Sequence, residues 1–466
     1  MEAFYQQQTV LLMGSTGFVG KFILFQLLRM KTRKVYLLIR KKKNKTAQQR
    51  FEDLFSDFLF TSDLLRLKKR VQLVEGDVST ASHGIKLHDL SLLRNEVTIV
   101  IHSATSTRFD HSLSAAVRRN LLSTSVMLKL CNTIVGLRCL VYVSTSYTGC
   151  YRRFIEERVA TSDCKKAMDL LQLLESDPAF LDSSELNGHP NTFTFSKFHA
   201  ESLVHYSGVP HAIVRHPIVI GSLRDPTRAW LDNFHNFHGV VAQADMGYEI
   251  PILLDPVSQI TLIPVDMAAN IVIGAGWRCA ERHRANGLVY NCIDTCTTPL
   301  AKEMTTRMIT ALENRPTKPA NYRKLNTTNS RVWRFIVLVL FYIPAFITDM
   351  WTVLITRHIC SGQRNIEAVT KLRRAHLKAS VLDNFPSGDF IFDYENVRSL
   401  TTLLPPKEYK SVSCYRKSTN ISSNALTRVQ KYPMDVSYID WDTFMRDIAL
   451  SVASYVQTYK HDEETS

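Results

Sequence analysis

The sequence predicts an α/β fold, a doubly wound parallel sheet followed by a smaller, helical C-terminal domain. Three observations lead to this prediction. Short apolar strands alternate with helical segments, a glycine-rich turn joins the first strand to the first helix, and beyond residue 364 apolar residues recur at helical spacing. A length of 466 residues with 45% apolar content excludes a disordered chain, a fibre and a small disulfide scaffold.

The charge and cysteine content narrow the function classes. Lys and Arg outnumber Asp and Glu by 57 to 43, for a net charge of +14, which favours anionic partners such as phosphates or lipid headgroups. No nucleic-acid reader motif or regular set of aromatics accompanies the basic residues, so we expect no nucleic-acid binding. The nine cysteines lack the spacing of metal ligands, which predicts reduced thiols and no metal site.

The segment Phe22–Met30 has leucines at helical spacing and is predicted to be the first helix. It is preceded by GSTGFVG, which follows the apolar strand Thr9–Met13. Glycines in this position let the chain approach a pyrophosphate and let the helix pack against the sheet, while the helix N-terminus offers N–H groups to the phosphates. A glycine triplet alone also fits an ordinary tight turn. The candidate cofactor-binding residues of this turn are Gly14, Thr16, Gly17, Phe18, Val19 and Gly20.

The end of the second strand bears on the choice of cofactor. The strand Lys34–Ile39 is followed by Arg40 and a run of lysines, where sites for NAD usually carry an acidic residue. A guanidinium at this position matches a 2′-phosphate, so we predict NADPH as the cofactor. A solvated loop is the alternative for the lysines, and it is less convincing for Arg40.

Two further strand ends contribute to the same cleft. Asp77 and Val78 follow the third strand, and Ala104 follows the fourth. Parallel strands bring their carboxyl ends to one edge, where we expect Asp77 to accept a hydrogen bond from adenine and Ala104 to line the cleft. A helix cap is the alternative for Asp77.

The chemistry is expected where the fifth strand ends in Ser144 and Thr145, with a helix opening nearby at PNTFTFSK. Here the resemblance becomes specific. The chain resembles the extended short-chain dehydrogenase/reductases, and more narrowly the alcohol-forming fatty acyl-CoA reductases with a male-sterility-type C-terminal domain. The segments that carry the resemblance over nearly the whole chain are GSTGFVGK, HSATSTRFD, NLLST, VSTSY, PNTFTFSK, IVRHPIVIGS, IPVDMAANIVI, DFIFDYENVRSL and MDVSYIDWDTFMRDIAL.

The resemblance implies NADPH-dependent reduction of long-chain acyl-CoA to a fatty alcohol through the aldehyde, assisted by a Ser/Thr, a Tyr and a Lys. The matching positions here are Ser144, Thr145, Phe193 and Lys197, and Lys197 would also contact the cofactor. Hydride delivery builds negative charge on the carbonyl oxygen, so a nearby group must donate a proton.

Phe193 departs from the family pattern, because its ring carries no hydroxyl. Loss of a general acid typically costs ~10²- to 10⁴-fold in rate. Two interpretations remain open. One is a slow or altered reductase that takes its proton from Thr145, Ser144 or an ordered water, and the other is a catalytically silent protein that binds NADPH and acyl-CoA. A sugar-nucleotide or sterol enzyme of the same superfamily is disfavoured by the C-terminal resemblance. His216 is a second departure, and it is either a proton donor or a structural histidine.

Changes in the sequence pattern along the chain define the expected domain boundaries. We place the NADP-binding reductase domain at residues 1–280, a connecting region at 281–360, the helical C-terminal domain at 361–458 and a polar tail at 459–466. The sequence indicates no oligomeric state.

An apolar segment at about 335–355 lies in the connecting region, with arginines on both sides. Its uninterrupted part is shorter than the ~20 apolar residues that span a bilayer, and Pro344 and Asp349 interrupt the rest. We expect shallow insertion at a membrane surface, with a buried helix pair as the alternative. Because the N-terminus does not resemble a secretory signal, we expect a cytosol-facing protein associated with the endoplasmic reticulum or peroxisomes.

Overall fold

The computed structural model gives most of the predicted nucleotide-binding region and several parts of the C-terminal half. Described residues are 1–42, 44–80, 84–107, 111–160, 164–182, 186–233, 236–245, 251–253, 258–282, 287–293, 298–315, 326–328, 330, 332, 390–403, 409–412, 427–430, 433–435 and 439–465. The apolar segment at 335–355 and the amphipathic pattern beyond residue 364 lie outside these residues. Among the helices that are described, none combines the length and apolar character needed to cross a membrane.

A parallel sheet organises the first part of the chain. Its strands are β1 (Thr9–Met13), β2 (Lys34–Ile39), β3 (Val71–Glu75), β4 (Ile99–His102), β5 (Cys139–Thr145), β6 (His211–His216) and β7 (Leu288–Asn291). They lie in the order β7-β6-β5-β4-β1-β2-β3, and every neighbouring pair is parallel. The order reverses beside β1, which is where open α/β sheets bind their ligands.

Helices connect these strands and continue in the C-terminal half. Those of eight residues or more in the described chain are α1 (Phe18–Arg29), α2 (Ala47–Phe55), α3 (Leu87–Glu96), α4 (Ser123–Cys131), α5 (Cys164–Ser176), α6 (Thr192–His205), α7 (Asn236–Asp245), α8 (Val265–Arg282), α9 (Ala301–Glu313), α10 (Glu395–Thr402) and α11 (Trp441–Thr465). Shorter helical turns are Glu2–Tyr5, Ser62–Leu65, Arg66–Arg70, Leu113–Ala116, Val117–Leu122, Ser146–Gly149 and Pro178–Asp182. Short strands outside the sheet are Phe154–Ile155, Ile218–Ile220, Pro251–Leu253, Leu262–Pro264, Asn326–Thr328, Ile391–Phe392, Tyr409–Val412 and Thr427–Gln430.

Both faces of the sheet are buried, because the strands are apolar on both sides. Leu140 and Tyr142 of β5 belong to a buried cluster that also holds apolar residues of α3, α4 and α6. Val141, between them, points to the other face, where its side chain lies against Gly276 of α8. This two-sided burial explains why the strands read as continuous apolar runs rather than as alternating patterns.

The chain divides into two compact units that alternate along the sequence. Unit 1 comprises Met1–Val219, Ile263–Asp294 and Ile391–Tyr438, and it holds the whole parallel sheet. Unit 2 comprises Ile220–Leu262, Thr295–Phe390 and Ile439–Ser466.

Two ion pairs connect separate segments of unit 2. Arg307 of α9 lies 2.8 Å from Asp442 of α11, and Arg315 forms a buried ion pair with Asp245 of α7.

The predicted fold class is confirmed by this architecture. The first two strands have the predicted bounds, whereas α1 begins at Phe18, earlier than its leucine pattern indicates, because Gly17 directly precedes the helix as its N-cap. The sheet also uses β7, which follows residue 280. The domain boundaries drawn from the sequence stay predictions.

Candidate active site

At two positions of the glycine turn, the backbone packs so closely that only glycine fits. Gly14 has φ +87°, and a Cβ there would lie 2.6 Å from the backbone carbonyl carbon of Ser103. A Cβ on Gly20 would lie 2.1 Å from the carbonyl oxygen of Gly14. The turn therefore packs backbone to backbone against the loop after β4, where the partly buried Ala104 also lies beside Gly14.

Space for a ligand lies over the next glycine of the turn. Gly17 is exposed, and the described contact nearest to a Cβ built on it is the Gly14 oxygen at 3.4 Å. Gly17 is also the N-cap of α1 and gives the helix no side-chain cap, and Phe18 and Val19 of the first turn are partly exposed. An exposed helix N-terminus without a side-chain cap suits a pyrophosphate, which the N–H groups and the positive end of the helix dipole would stabilise.

One guanidinium group contacts this turn, and the charge of a second one acts on it. Arg50 of α2 donates to the Thr16 hydroxyl at 2.7 Å and to the carbonyl oxygen of Arg40 at 2.6 Å. The Arg40 side chain is 44% exposed. Burial, and then the charge of Arg40, lower the pKa of Arg50. The two like charges lie close enough to repel each other, so an anion bound beside them would be stabilised.

Arg50 was not predicted from the sequence, although one signal points to it. Thr46 and Gln49 form a capping box, with the Gln49 N–H donating to Thr46 Oγ1 at 3.1 Å and Thr46 N–H donating to Gln49 Oε1 at 2.8 Å. This box defines the start of α2 and places Arg50 in its first turn. The contact with Thr16 is nonlocal and has no signature of its own.

Asp77 is already engaged in local hydrogen bonds. Its Oδ1 accepts from the Ser79 N–H at 2.9 Å and from the Ser79 hydroxyl at 2.7 Å, and its Oδ2 lies 3.3 Å from Arg40 Nη1. Burial acts to raise the pKa of Asp77, but the Ser79 hydrogen bonds and the charge of Arg40 outweigh it and leave the pKa lowered. Asp77 therefore caps its own turn and orients Arg40, with the adjacent Val78 buried. Its bond to adenine stays a prediction.

Helix α6 buries an aromatic ring, an amine and a carboxylate on one face. Phe193, Lys197 and Glu201 are spaced by four residues, so they lie one above another along the helix. All three are buried, with Phe193 5% exposed and Lys197 2% exposed. The spacing was visible in the sequence and could have identified Glu201 as a buried acid beside the predicted lysine.

The Lys197 amine is held by two neutral acceptors on β5. Nζ donates to the Tyr142 hydroxyl at 2.9 Å and to the Val143 carbonyl oxygen at 2.6 Å. It also lies 4.2 Å from the centre of the Tyr142 ring. Burial lowers the pKa of Lys197 to about 7, and the negative charge of Glu201 only partly opposes this effect. The phenol that contacts this lysine thus belongs to Tyr142, which sequence reasoning missed, and not to position 193.

The predicted hydroxyl residues occupy different environments. Ser144 Oγ donates to Glu201 Oε1 at 2.5 Å, so this hydroxyl is directed to a buried carboxylate. Thr145 Oγ1 accepts from the Tyr147 N–H at 3.4 Å, and Thr145 ends β5. The role of either hydroxyl toward a substrate stays a prediction.

A buried ion pair lies behind Ser144. Arg215 Nη2 lies 2.7 Å from Glu201 Oε2, and the two side chains are 4% and 1% exposed. Arg215 also donates to the carbonyl oxygens of Glu156 at 3.0 Å and Arg158 at 3.1 Å. The pair therefore joins α6, β6 and the segment after β5 beneath the site.

Asn120 connects the loop after β4 to α6. Its Nδ2 donates to Ser196 Oγ at 2.9 Å, and its Oδ1 accepts from Thr105 Oγ1 at 2.9 Å and from the Ser106 N–H at 3.0 Å. The residue lies in the widened helical turn Val117–Leu122, and the Thr124 hydroxyl donates to its carbonyl oxygen at 2.6 Å. Such turns are frequent at functional sites, and this one positions the residue that precedes Lys197.

His216 pairs with Thr145 in the β5–β6 register and is buried. Its ring nitrogens have no hydrogen-bond partner among the described residues. Burial, and then the charge of Lys197, lower the pKa of His216 to about 3, so the ring is neutral at pH 7. An imidazolium acid at this position would require a strongly acidic medium.

Comparison with known proteins identifies the family. A family model described as "Male sterility protein" matches residues 12–272. Fatty acyl-CoA reductase wat of Drosophila melanogaster is 33% identical over 425 residues, which cover 88% of this chain and 80% of that protein. Fatty acyl-CoA reductase 1 of Homo sapiens is 28% identical, with coverage of 97% and 85% respectively.

Solved structures show the same fold at lower identity. The terminal R domain of the myxalamid PKS-NRPS pathway has a TM-score of 0.62 at 18% identity and covers 96% of this chain and 91% of its own. The reductase domain of a nonribosomal peptide synthetase from Mycobacterium tuberculosis has a TM-score of 0.58 at 17% identity, with coverage of 96% and 92%. From the family model and the Drosophila relative, the chain belongs to the fatty acyl-CoA reductase family and is a reductase with a nicotinamide cofactor.

Proposed function

We propose that this protein reduces long-chain acyl-CoA thioesters to fatty alcohols through the aldehyde, with NADPH as the reductant. The family supports the acyl-CoA substrate, since the relatives are named as fatty acyl-CoA reductases. The observation that carries the choice of NADPH is the arrangement of Arg40 and Arg50 beside the glycine turn. Two guanidiniums at the end of β2 suit a 2′-phosphate better than a ribose hydroxyl.

The residues of this chain fit a bound dinucleotide. The turn from Gly14 to Gly20 and the N-terminus of α1 would hold the pyrophosphate, and Arg40 and Arg50 would hold the 2′-phosphate. When bound, the cofactor supplies the hydride. The chain then has to hold the carbonyl beside the end of β5 and supply a proton to its oxygen.

A catalytically silent protein that binds NADPH and acyl-CoA is the second candidate function. Phe193 favours it, because this buried ring occupies the position of the family's phenol and carries no proton to donate. The two candidates differ in turnover and agree in binding.

The deciding experiment incubates the purified wild type with NADPH and palmitoyl-CoA and identifies the products by mass. Fatty alcohol formed with matching loss of NADPH supports the reductase. NADPH binding without product, together with product from Phe193→Tyr, supports the silent protein. Failure to bind NADPH would contradict both.

Arg40→Ala should weaken NADPH binding by about 10- to 100-fold, because hydrogen bonds to charged groups contribute about 1.5–3 kcal/mol. NADH lacks the 2′-phosphate, so its Kd should change by less than about threefold. Calorimetry with both cofactors measures the difference. Arg66→Ala is the matched control, since this side chain is 82% exposed. Equal weakening of NADPH and NADH would contradict the assignment.

We also infer a cytosol-facing association with the membrane of the endoplasmic reticulum or peroxisomes, through the apolar segment at 335–355. The arginines that flank this segment support contact with anionic lipid. The protein should therefore sediment with vesicles that contain phosphatidylserine, and less so with neutral vesicles. Equal absence from both would contradict the inference.

A further inference from the structure

The buried face of α6 presents an amine where the family motif has both a phenol and an amine. Phe193 has no proton to give, and Lys197 one helical turn later retains its position. The nearest phenol to this amine comes from Tyr142 of β5, at 2.9 Å from Nζ. The Tyr142 hydroxyl accepts this hydrogen bond from Nζ, so Tyr142 is placed to act on the lysine.

We propose that Lys197 donates the proton to the substrate carbonyl oxygen in this protein, and that Tyr142 is the positioning residue that holds its amine. The proposal rests on the reductase function proposed above. It assigns to the lysine the role that Phe193 cannot perform.

The hydrogen-bond geometry leaves the lysine one donor for a ligand. An ammonium has three N–H groups, and two of them are directed to the Tyr142 hydroxyl and the Val143 carbonyl oxygen. Both acceptors are neutral, and Lys197 forms no ion pair among the described residues. Glu201, one turn further along α6, is bound by Arg215 and Ser144 instead. The ammonium therefore lacks the carboxylate partner that would hold its proton.

The rings around the Lys197 amine also supply no negative charge that would hold its proton. Tyr142 faces the amine from β5, while the charge of Lys197 acts on His102 of β4 and His216 of β6. Burial, and then that charge, lower the pKa of each imidazole to about 3, so both rings are neutral near pH 7. Burial lowers the pKa of Lys197 to about 7, which matches a general acid that works near neutral pH.

The proton balance of the step is simple. Hydride adds to the carbonyl carbon, the C=O π pair moves to oxygen, and one Nζ proton goes to that oxygen and leaves a neutral amine. From the thioester this gives a hemithioacetal, which breaks its C–S bond to release the aldehyde and the CoA thiol, the hydroxyl proton passing to sulfur. The aldehyde then takes a second hydride, which a second NADPH must supply, and a second proton. Solvent reprotonates the amine between the two reductions.

The test is the pH dependence of kcat with NADPH and palmitoyl-CoA. In the wild type, kcat should fall as pH rises through about 7, because the amine loses its proton there. Tyr142→Phe should lower kcat about tenfold and move this fall to lower pH, since the lost acceptor stabilised the ammonium. The NADPH Kd should not change. Tyr206→Phe, in the exposed residue that ends α6, is the matched control and should behave as wild type.

Phe193→Tyr gives a further test of the proton donor, because a phenol keeps its proton to higher pH than this amine. Its fall in kcat should lie at least about one pH unit above that of the wild type. A wild-type fall above pH 9 that Tyr142→Phe leaves in place would overturn the proposal while turnover itself upholds the reductase. A wild type without turnover at any pH would overturn both.

A second readout needs no turnover. Protein labelled with ¹³Cε-lysine should show one resonance, absent in Lys197→Arg, that titrates with a midpoint near 7 in the NADPH-free protein. A midpoint near 10 would overturn the proposal. Tyr142→Phe should lower this midpoint, whereas a purely structural role of Tyr142 would leave it in place.

Discussion

Arg215→Met is expected to destabilise the protein by about 3–5 kcal/mol, because it leaves the Glu201 carboxylate buried without its cation. Glu201 is 1% exposed, and its other described donors are the hydroxyls of Ser144 and Thr148. The loss also removes the donor to the carbonyl oxygens of Glu156 and Arg158. Urea unfolding followed by circular dichroism measures the change.

The double variant Glu201→Leu with Arg215→Met distinguishes the cost of the unpaired Glu201 charge from the cost of the lost hydrogen bonds to the backbone. Replacement of both partners by apolar groups removes the unpaired charge, so part of the stability should return. Recovery should be incomplete, since the two backbone carbonyls still lack their donor. Arg66→Met, at an exposed position, should change stability by less than about 0.5 kcal/mol. If Arg215→Met alone lowers the free energy of unfolding by less than about 1 kcal/mol, the result would contradict a buried ion pair at this position.

Gly20→Ala is expected to lower the free energy of unfolding by about 3 kcal/mol or more and to abolish binding of the nicotinamide cofactor. The added Cβ would lie 2.1 Å from the Gly14 carbonyl oxygen, which is backbone and cannot rotate away. The turn must therefore open, and its N–H groups lose their common direction. Thermal unfolding and cofactor calorimetry measure the two effects.

Gly136→Ala is the matched control for this prediction. A Cβ at Gly136 would lie 3.8 Å from the Val97 carbonyl oxygen, an ordinary contact, and the residue is exposed. This variant should be neutral or slightly stabilising, since alanine reduces the entropy of the unfolded chain. Wild-type stability and NADPH affinity in Gly20→Ala would show that the turn differs from the one described.

The parts of the fold that were predicted from the sequence are those that local patterns determine. The glycine turn and the strands β1 and β2 each follow from a short segment whose residue types have few structural alternatives. The start of α1 was placed too late, because the first turn of the helix belongs to the glycine segment and carries no leucine pattern.

The unpredicted parts of the site depend on contacts between distant segments. Arg50 meets Thr16 across 34 positions, and Lys197 meets Tyr142 across 55. Glu201 reads as an ordinary helical acid until β6 places Arg215 beside it. These pairings follow from strand order and register, which no periodicity in a single segment specifies.

Arg50 also bears on how quickly the cofactor can associate. Its hydrogen bonds to Thr16 and to the Arg40 carbonyl oxygen connect the glycine turn to the end of β2. A binding site that is ordered before the ligand binds loses little conformational entropy on binding, and its positive charge attracts an anionic nucleotide. The association rate should therefore fall with ionic strength, as in a diffusional encounter steered by charge.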